Sequence, residues 1–86
     1  MKSVTVVTVV YNNLVGLKAT HASFREQDFS RKEMIIVDGN SSDCTRRFLE
    51  SLSEESDVEW LIEPDEGLYD AMNKGLRMAK GDYIIF

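Results

Sequence analysis

The chain has 86 residues, of which 43% are apolar and 29% charged, so it holds enough core-forming material to exclude a disordered tail. A net charge of -5 disfavours a nucleic-acid-binding face built from clustered Lys and Arg. Cys44 is the only cysteine, which excludes an internal disulfide or a cysteine-based zinc site and points to a reducing setting.

Residues 3–10 are β-branched and apolar almost throughout, the pattern of a strand buried on both faces. This stretch is far too short to span a bilayer. Asn12 and Asn13 follow as a turn and helix cap. Leu14, Leu17, His21 and Phe24 recur at helical spacing, predicting a helix to about residue 27 with His21 as a packing residue. Residues 34–37 form a second buried strand. It stops at the turn-forming run 38–43, where Ser41, Ser42 and Asp43 are placed to cap the next helix.

Phe48, Leu49 and Leu52 mark that second helix. Residues 58–62 read as a third strand, with Trp60 in the core, and residues 63–67 as a loop. Leu68, Met72, Leu76 and Ala79 predict the core stripe of a third helix, with Lys80 in its last turn and Gly81 as its C-cap. Gly75 in mid-helix costs about 1 kcal/mol relative to Ala, so something should pack tightly against it. Residues 83–86 begin a fourth strand.

Alternating strands and helices predict an α/β fold with a parallel sheet, whose ligands bind outside the carboxyl ends of the strands. The polar segments 11–13, 38–43 and 64–70 fall at those ends. Taken alone, Asp38 is better explained by a turn or helix cap than by a ligand contact. Asp65 and Asp70 are the carboxylates expected to face the cleft, and Glu66 to favour the helix dipole. Asp70 and Lys74 form an i,i+4 pair on a polar helix side with Asn73 and Arg77, and Lys74 alternatively reaches a phosphate. No His stands near Cys44 in sequence, which disfavours a Cys-His nucleophile. GxGxxG, Walker A and HExxH motifs are absent, which removes dinucleotide-binding, P-loop and zinc-protease readings.

Four strings together carry a family resemblance. VTVVTVVYN at 4–12, IIVDGNSSDCT at 35–45, EPDEGLYDAMNKG at 63–75 and AKGDYI at 79–84 resemble, in order and spacing, the front part of family 2 glycosyltransferases. The third string is closest to a bacterial branch that builds surface polysaccharides. The resemblance implies a partial GT-A (Rossmann-like) fold of about four parallel strands, in order 3-2-1-4, with three helices. It also implies an N-terminal nucleotide-binding part, residues 1–86, truncated before the metal-binding DxD motif.

By the same resemblance, Tyr11 and Asn12 lie beside the nucleoside, Asp38 hydrogen-bonds the base, and Asp65 lines the base pocket. Asn73 and Lys74 lie beside the nucleotide by that resemblance, and Ser41, at a helix end suited to ligand hydrogen bonds, and Asp70, at the cleft, complete the substrate-binding set. The implied donor is a UDP- or GDP-type sugar nucleotide, and the acceptor a glycan or lipid-linked glycan. A divalent cation, Mg or Mn, is expected for the full-length enzyme, with no metal ligand and no catalytic residue in this chain. Localisation is expected to be cytoplasmic, peripheral at the inner face of the membrane at most. Cys44 replaces the usual glycine of the second string, and Met72 stands where many relatives have an arginine. A non-catalytic nucleotide-binding or structural module is the alternative. A nucleotidyltransferase is disfavoured by the missing glycine-rich loop. An uncovered fourth strand at the sheet edge predicts self-association.

Overall fold

A computed structural model describes residues 3–27, 31–42, 44–64, 67–81 and 83–85. The side chains of Leu68 and Tyr83 are not described. The chain runs β1 (Val4–Val10), α1 (Leu14–Glu26), β2 (Lys32–Asp38), α2 (Thr45–Ser51), β3 (Val58–Ile62), α3 (Leu68–Met78) and β4 (Tyr83–Ile85). All strand pairs are parallel, in the order β3-β2-β1-β4, as expected. The second strand is longer than residues 34–37, because Lys32, Glu33 and Asp38 also pair with β1.

The period of two along each strand sorts the core into two layers. Met34 and Ile36 point to one face with Val10, where Leu17 and Phe24 of α1, Leu49 of α2, and Leu52 and Val58 complete the cluster. Trp60 packs on this layer, as predicted. Ile35 and Val37 point to the other face with Val7, and Ala71 of α3 closes over them. Met34, Ile35, Ile36 and Val37 have no exposed surface, the condition of a central parallel strand covered on both faces.

The third helix departs from the predicted stripe. Ala71 and Gly75 are buried and Met78 packs against the same cluster, whereas Leu76 is exposed. The reason is proximity. A Cβ on Gly75 would fall on Val7 Cγ1 and lie 3.6 Å from Val37 Cγ2, so the helix rests on the sheet through its smallest residues. Residues 71, 75 and 78 share one face at helical spacing, and Leu76 lies about 100° away from Gly75.

α3 also ends earlier than predicted. Ala79 is the C-cap in extended conformation, and its N–H donates to Gly75 O at 3.0 Å and to Leu76 O at 3.3 Å. Arg77, not Lys80, is the basic residue of the last turn. Gly81 therefore does not cap the helix; it approaches β1. Its N–H donates to Thr5 Oγ1 at 2.8 Å, and Thr5 in turn donates to Glu33 Oε2 at 2.6 Å. The Lys80 N–H donates to the same carboxylate oxygen at 2.7 Å. This clasp sets where β4 enters the sheet, at the end opposite the polar loops.

α1 is held at both ends. Asn13 caps it by accepting from the Gly16 N–H at 3.1 Å, as predicted. Lys32 Nζ donates to Phe24 O and Gln27 O, satisfying carbonyls at its last turn. His21 meets Phe48 edge-on and lies 2.9 Å from Glu55 Oε1, so it packs α1 against α2 and pairs with the turn before β3.

Candidate functional site

The loops after β1, β2 and β3 meet at the carboxyl ends of their strands. Val10, Asp38 and Ile62 occupy one register row across the three strands. The ladder continues one step beyond it: the Gly39 N–H donates to Val10 O and the Glu63 N–H to Asp38 O, each at 3.0 Å. Just past this point Tyr11, Gly39, Asn40 and Pro64 line a hollow of about 420 Å³. Each of the three loops contributes a wall.

Asp38 is the last residue of β2 and has 0% exposure. Its Oδ2 accepts from the Ser41 N–H at 3.1 Å, and its Oδ1 accepts a short hydrogen bond from the Ser41 hydroxyl. Ser41 Oγ accepts in turn from the Asn12 N–H at 2.8 Å. The circuit closes from the other side, where Asn12 Oδ1 accepts from the Ser42 N–H at 2.7 Å and from its hydroxyl at 3.2 Å. Asn12 and Asn40 have positive φ of 50° and 70°, a conformation Asn tolerates better than most residues. Two strained asparagines and one buried carboxylate thus fix the shape of two adjacent loops.

This arrangement revises one expectation. Ser41 and Ser42 do not cap α2; its N-cap is Cys44, with no side-chain cap bond. The Cys44 backbone has φ of -81°, so the position that is usually glycine does not need a left-handed conformation here. Asp38 takes the turn-cap part expected of it as a single residue: its carboxylate accepts from Ser41, has no open surface, and shapes the loop that lines the hollow. Tyr11 is 65% exposed at the rim of the hollow. Asp65, Glu66 and Asp43 lie outside the described residues.

Lys74 is 8% exposed. Its Nζ lies 2.9 Å from Glu63 Oε1, 2.9 Å from Pro64 O and 3.4 Å from Asp70 Oδ2. The hydrogen bond to Glu63 raises its pKa above the ordinary lysine value; burial opposes this and Asp70 assists. The ammonium thus makes the expected i,i+4 pair with Asp70, and its contacts with Glu63 and Pro64 also lie within the protein. Asn73 and Arg77 are exposed on the outer side of α3, as expected for a solvated face. Among the described residues, no group of three or more His, Cys, Asp or Glu side chains is arranged to hold a metal. Glu63 and Asp70 face Lys74, and Asp38 faces Ser41.

Sequence reasoning placed Gly39, Asn40 and Pro64 in the segments at the strand ends without singling them out as site residues, and it left Glu63 as a loop residue. Asn40 carried a signal, since Asn after Gly in a turn marks a left-handed position. Nothing in the spacing of residues 63 and 74 announces their contact.

The sequence model of "Glycosyl transferase family 2" matches residues 5–86. The chain belongs to glycosyl transferase family 2. An uncharacterised glycosyltransferase of Mycobacterium tuberculosis is 42% identical over 85 residues, covering 98% of this chain and 32% of that protein. The GalNAc(5)-diNAcBac-PP-undecaprenol beta-1,3-glucosyltransferase of Campylobacter jejuni is 29% identical, covering 100% of this chain and 29% of that protein. This family 2 chain thus spans about a third of the length of the curated relatives it matches.

Among solved structures, a mannosyltransferase from Pyrobaculum calidifontis, in complex with GDP-Man and Mn2+, superposes with a TM-score of 0.86 at 27% identity. The match covers 96% of this chain and 26% of that one. Staphylococcus aureus TarS superposes equally well, with a TM-score of 0.86, 23% identity and coverage of 98% and 25%, and supports the GT-A fold.

Proposed function

We propose that this chain forms the nucleotide part of the donor site of a glycosyltransferase. The hollow at Tyr11, Gly39, Asn40 and Pro64 takes the nucleoside diphosphate of a UDP- or GDP-type sugar donor. The observation that carries the reading is the convergence of three strand-end loops on one hollow in a family 2 chain. Parallel sheets bind ligands at such carboxyl ends. The mannosyltransferase solved with GDP-Man supports a nucleoside diphosphate as the ligand class. The Campylobacter relative supports a lipid-linked glycan as acceptor, which would bring the protein to the inner membrane face as a peripheral partner. Among the described residues no helix is long and apolar enough to cross a membrane.

The reaction is inverting sugar transfer in envelope polysaccharide synthesis. It needs a carboxylate base for the acceptor hydroxyl and positive charge for the departing diphosphate. The Mn2+ of the mannosyltransferase supports a divalent cation in that second role. We assign the cation no ligands among the described residues, and we place the base and the acceptor site outside this chain. What the chain supplies is shape: walls for the nucleoside, held by the Asp38–Ser41–Asn12 circuit.

The test is a titration of the 86-residue chain with UDP and GDP, followed by amide NMR shifts. Binding is expected with a Kd on the order of 0.1–1 mM, as suits a partial site. Shifts should concentrate at Tyr11, Gly39 and Asn40. Absence of shifts at these amides up to several millimolar nucleotide, roughly the limit of measurable affinity, would remove the reading. The isolated chain should transfer no sugar with Mg2+ or Mn2+ present; metal-dependent transfer would show that the chemistry lies here after all.

The sheet edge supports a second expectation. Among the described residues β4 pairs with β1 at three positions, and Ile84 and Ile85 are exposed. Val4, Val6, Phe24 and Ile85 border an apolar hollow of about 320 Å³ on the α1 face of this edge. Unpaired strand groups beside apolar surface favour pairing with a second copy. Sedimentation should show a concentration-dependent dimer, weakened by Ile85→Lys. A monomer throughout the concentration series would overturn it.

A further inference from the structure

Pro64 is a wall of the hollow, yet the sheet cannot hold it. The β2–β3 ladder ends at the Glu63 N–H, which donates to Asp38 O. Pro64 has no N–H to offer, so its carbonyl is its one main-chain hydrogen-bonding group. Lys74 Nζ takes that carbonyl at 2.9 Å. The same ammonium holds Glu63, the preceding residue, at 2.9 Å, and Asp70 on its own helix at 3.4 Å. An ammonium has three donors, and three acceptors surround this one. The helix behind it is fixed, because Gly75, the next residue, is in close contact with Val7 and Val37 of the sheet.

The charge balance argues against a phosphate at this corner. Two carboxylates, those of Glu63 and Asp70, already flank Lys74, and carboxylates at this distance disfavour a diphosphate beside it. A phosphate contact from Lys74 would also require one of its acceptors to be released.

Resting on the function proposed above, we propose that Lys74 is a positioning residue: a strut from α3 that holds the Pro64 wall against the nucleoside end of the donor without contacting its phosphates.

The test compares nucleosides with nucleoside diphosphates. Uridine, UDP, guanosine and GDP are titrated into the 86-residue chain and into Lys74→Met, Lys74→Arg and Glu63→Gln, with folding checked by circular dichroism. Loss of the strut should weaken nucleoside and diphosphate by the same factor, about five- to tenfold in Lys74→Met, since a charge-assisted hydrogen-bond set is removed. Lys74→Arg should recover part of this. Glu63→Gln keeps a hydrogen-bond acceptor and should lose about two- to threefold on both ligand types.

A phosphate-contacting Lys74 gives a different pattern: the loss is confined to the diphosphates, and Glu63→Gln binds them more tightly because the lysine is freed. That result overturns the proposal. So does wild-type affinity in folded Lys74→Met, which is what a merely structural lysine would give. If Lys74→Met does not fold, Glu63→Gln decides by the same comparison. Should the wild-type chain bind none of the four ligands, the proposed function falls separately. The strut is then judged by hydrogen exchange at the Glu63 amide: faster exchange in Lys74→Met supports it, and unchanged exchange overturns it.

Discussion

Replacing Gly81 with alanine is expected to lower the unfolding free energy by about 2–3 kcal/mol, at the upper end of overpacking costs. A Cβ at this position would stand 2.5 Å from Thr5 Oγ1, 2.8 Å from the Thr5 backbone nitrogen and 3.1 Å from the Val4 carbonyl carbon. Two of these atoms belong to the backbone of β1 and cannot rotate aside. The turn must back away, and doing so breaks the Gly81–Thr5 bond and strains the Lys80–Glu33 bond. A domain of this size has only about 5–10 kcal/mol to lose.

Gly75→Ala is the informative contrast. Its added methyl meets a side-chain atom, Val7 Cγ1, and the substitution gains about 1 kcal/mol of helix propensity. The net cost should be the smaller of the two. Urea unfolding of both variants checks the order; equal or reversed costs would mean that β1 yields more easily than its backbone position suggests.

The difference between these glycines also shows what the sequence could and could not disclose. The β-branched runs at 4–10 and 34–37, and the loops that interrupt them, were sufficient to place strands, helices and the sheet end that carries the site. Apolar spacing alone misjudged α3. It pointed Leu76 inward, whereas the helix lies so close to the sheet that Ala71 and Gly75 occupy the contact. Gly75 itself was the clue, because a costly mid-helix glycine implies close approach, but it does not say from which side.

At the site, Tyr11, Asn12, Asp38 and Ser41 were placed correctly at the strand ends. The use each residue makes of its polar atoms was not legible. A carboxylate at the end of a buried strand looks the same in sequence whether it faces a ligand or a neighbouring serine. Only the distance across 29 residues between Asn12 and Ser41 reveals a circuit, and it depends on the parallel register of β1 with β2.

That ambiguity leads to the second large effect. Asp38→Ala is expected to weaken UDP or GDP binding by at least about tenfold and to cost about 1–3 kcal/mol of stability, because the Ser41 N–H and hydroxyl lose their acceptors. Two mechanisms could produce the weaker binding. If Asp38 acts by holding its loop, Ser41→Ala and Asn12→Ala remove links of the same chain. Each should then reproduce a large part of the loss, and pairs of substitutions should be non-additive by about 1 kcal/mol, as in other shared networks.

If Asp38 instead opens to meet a base, Ser41→Ala frees its carboxylate and nucleotide affinity should hold or rise. Isothermal titration of the three single variants and the Asp38/Asn12 pair separates these outcomes. The complete burial of Asp38 favours the first. A buried carboxylate satisfied by two donors from one serine contributes to a ligand site by limiting where the neighbouring Gly39 and Asn40 can go. Its effect on binding should therefore track the integrity of the circuit and not the hydrogen-bonding pattern of the base.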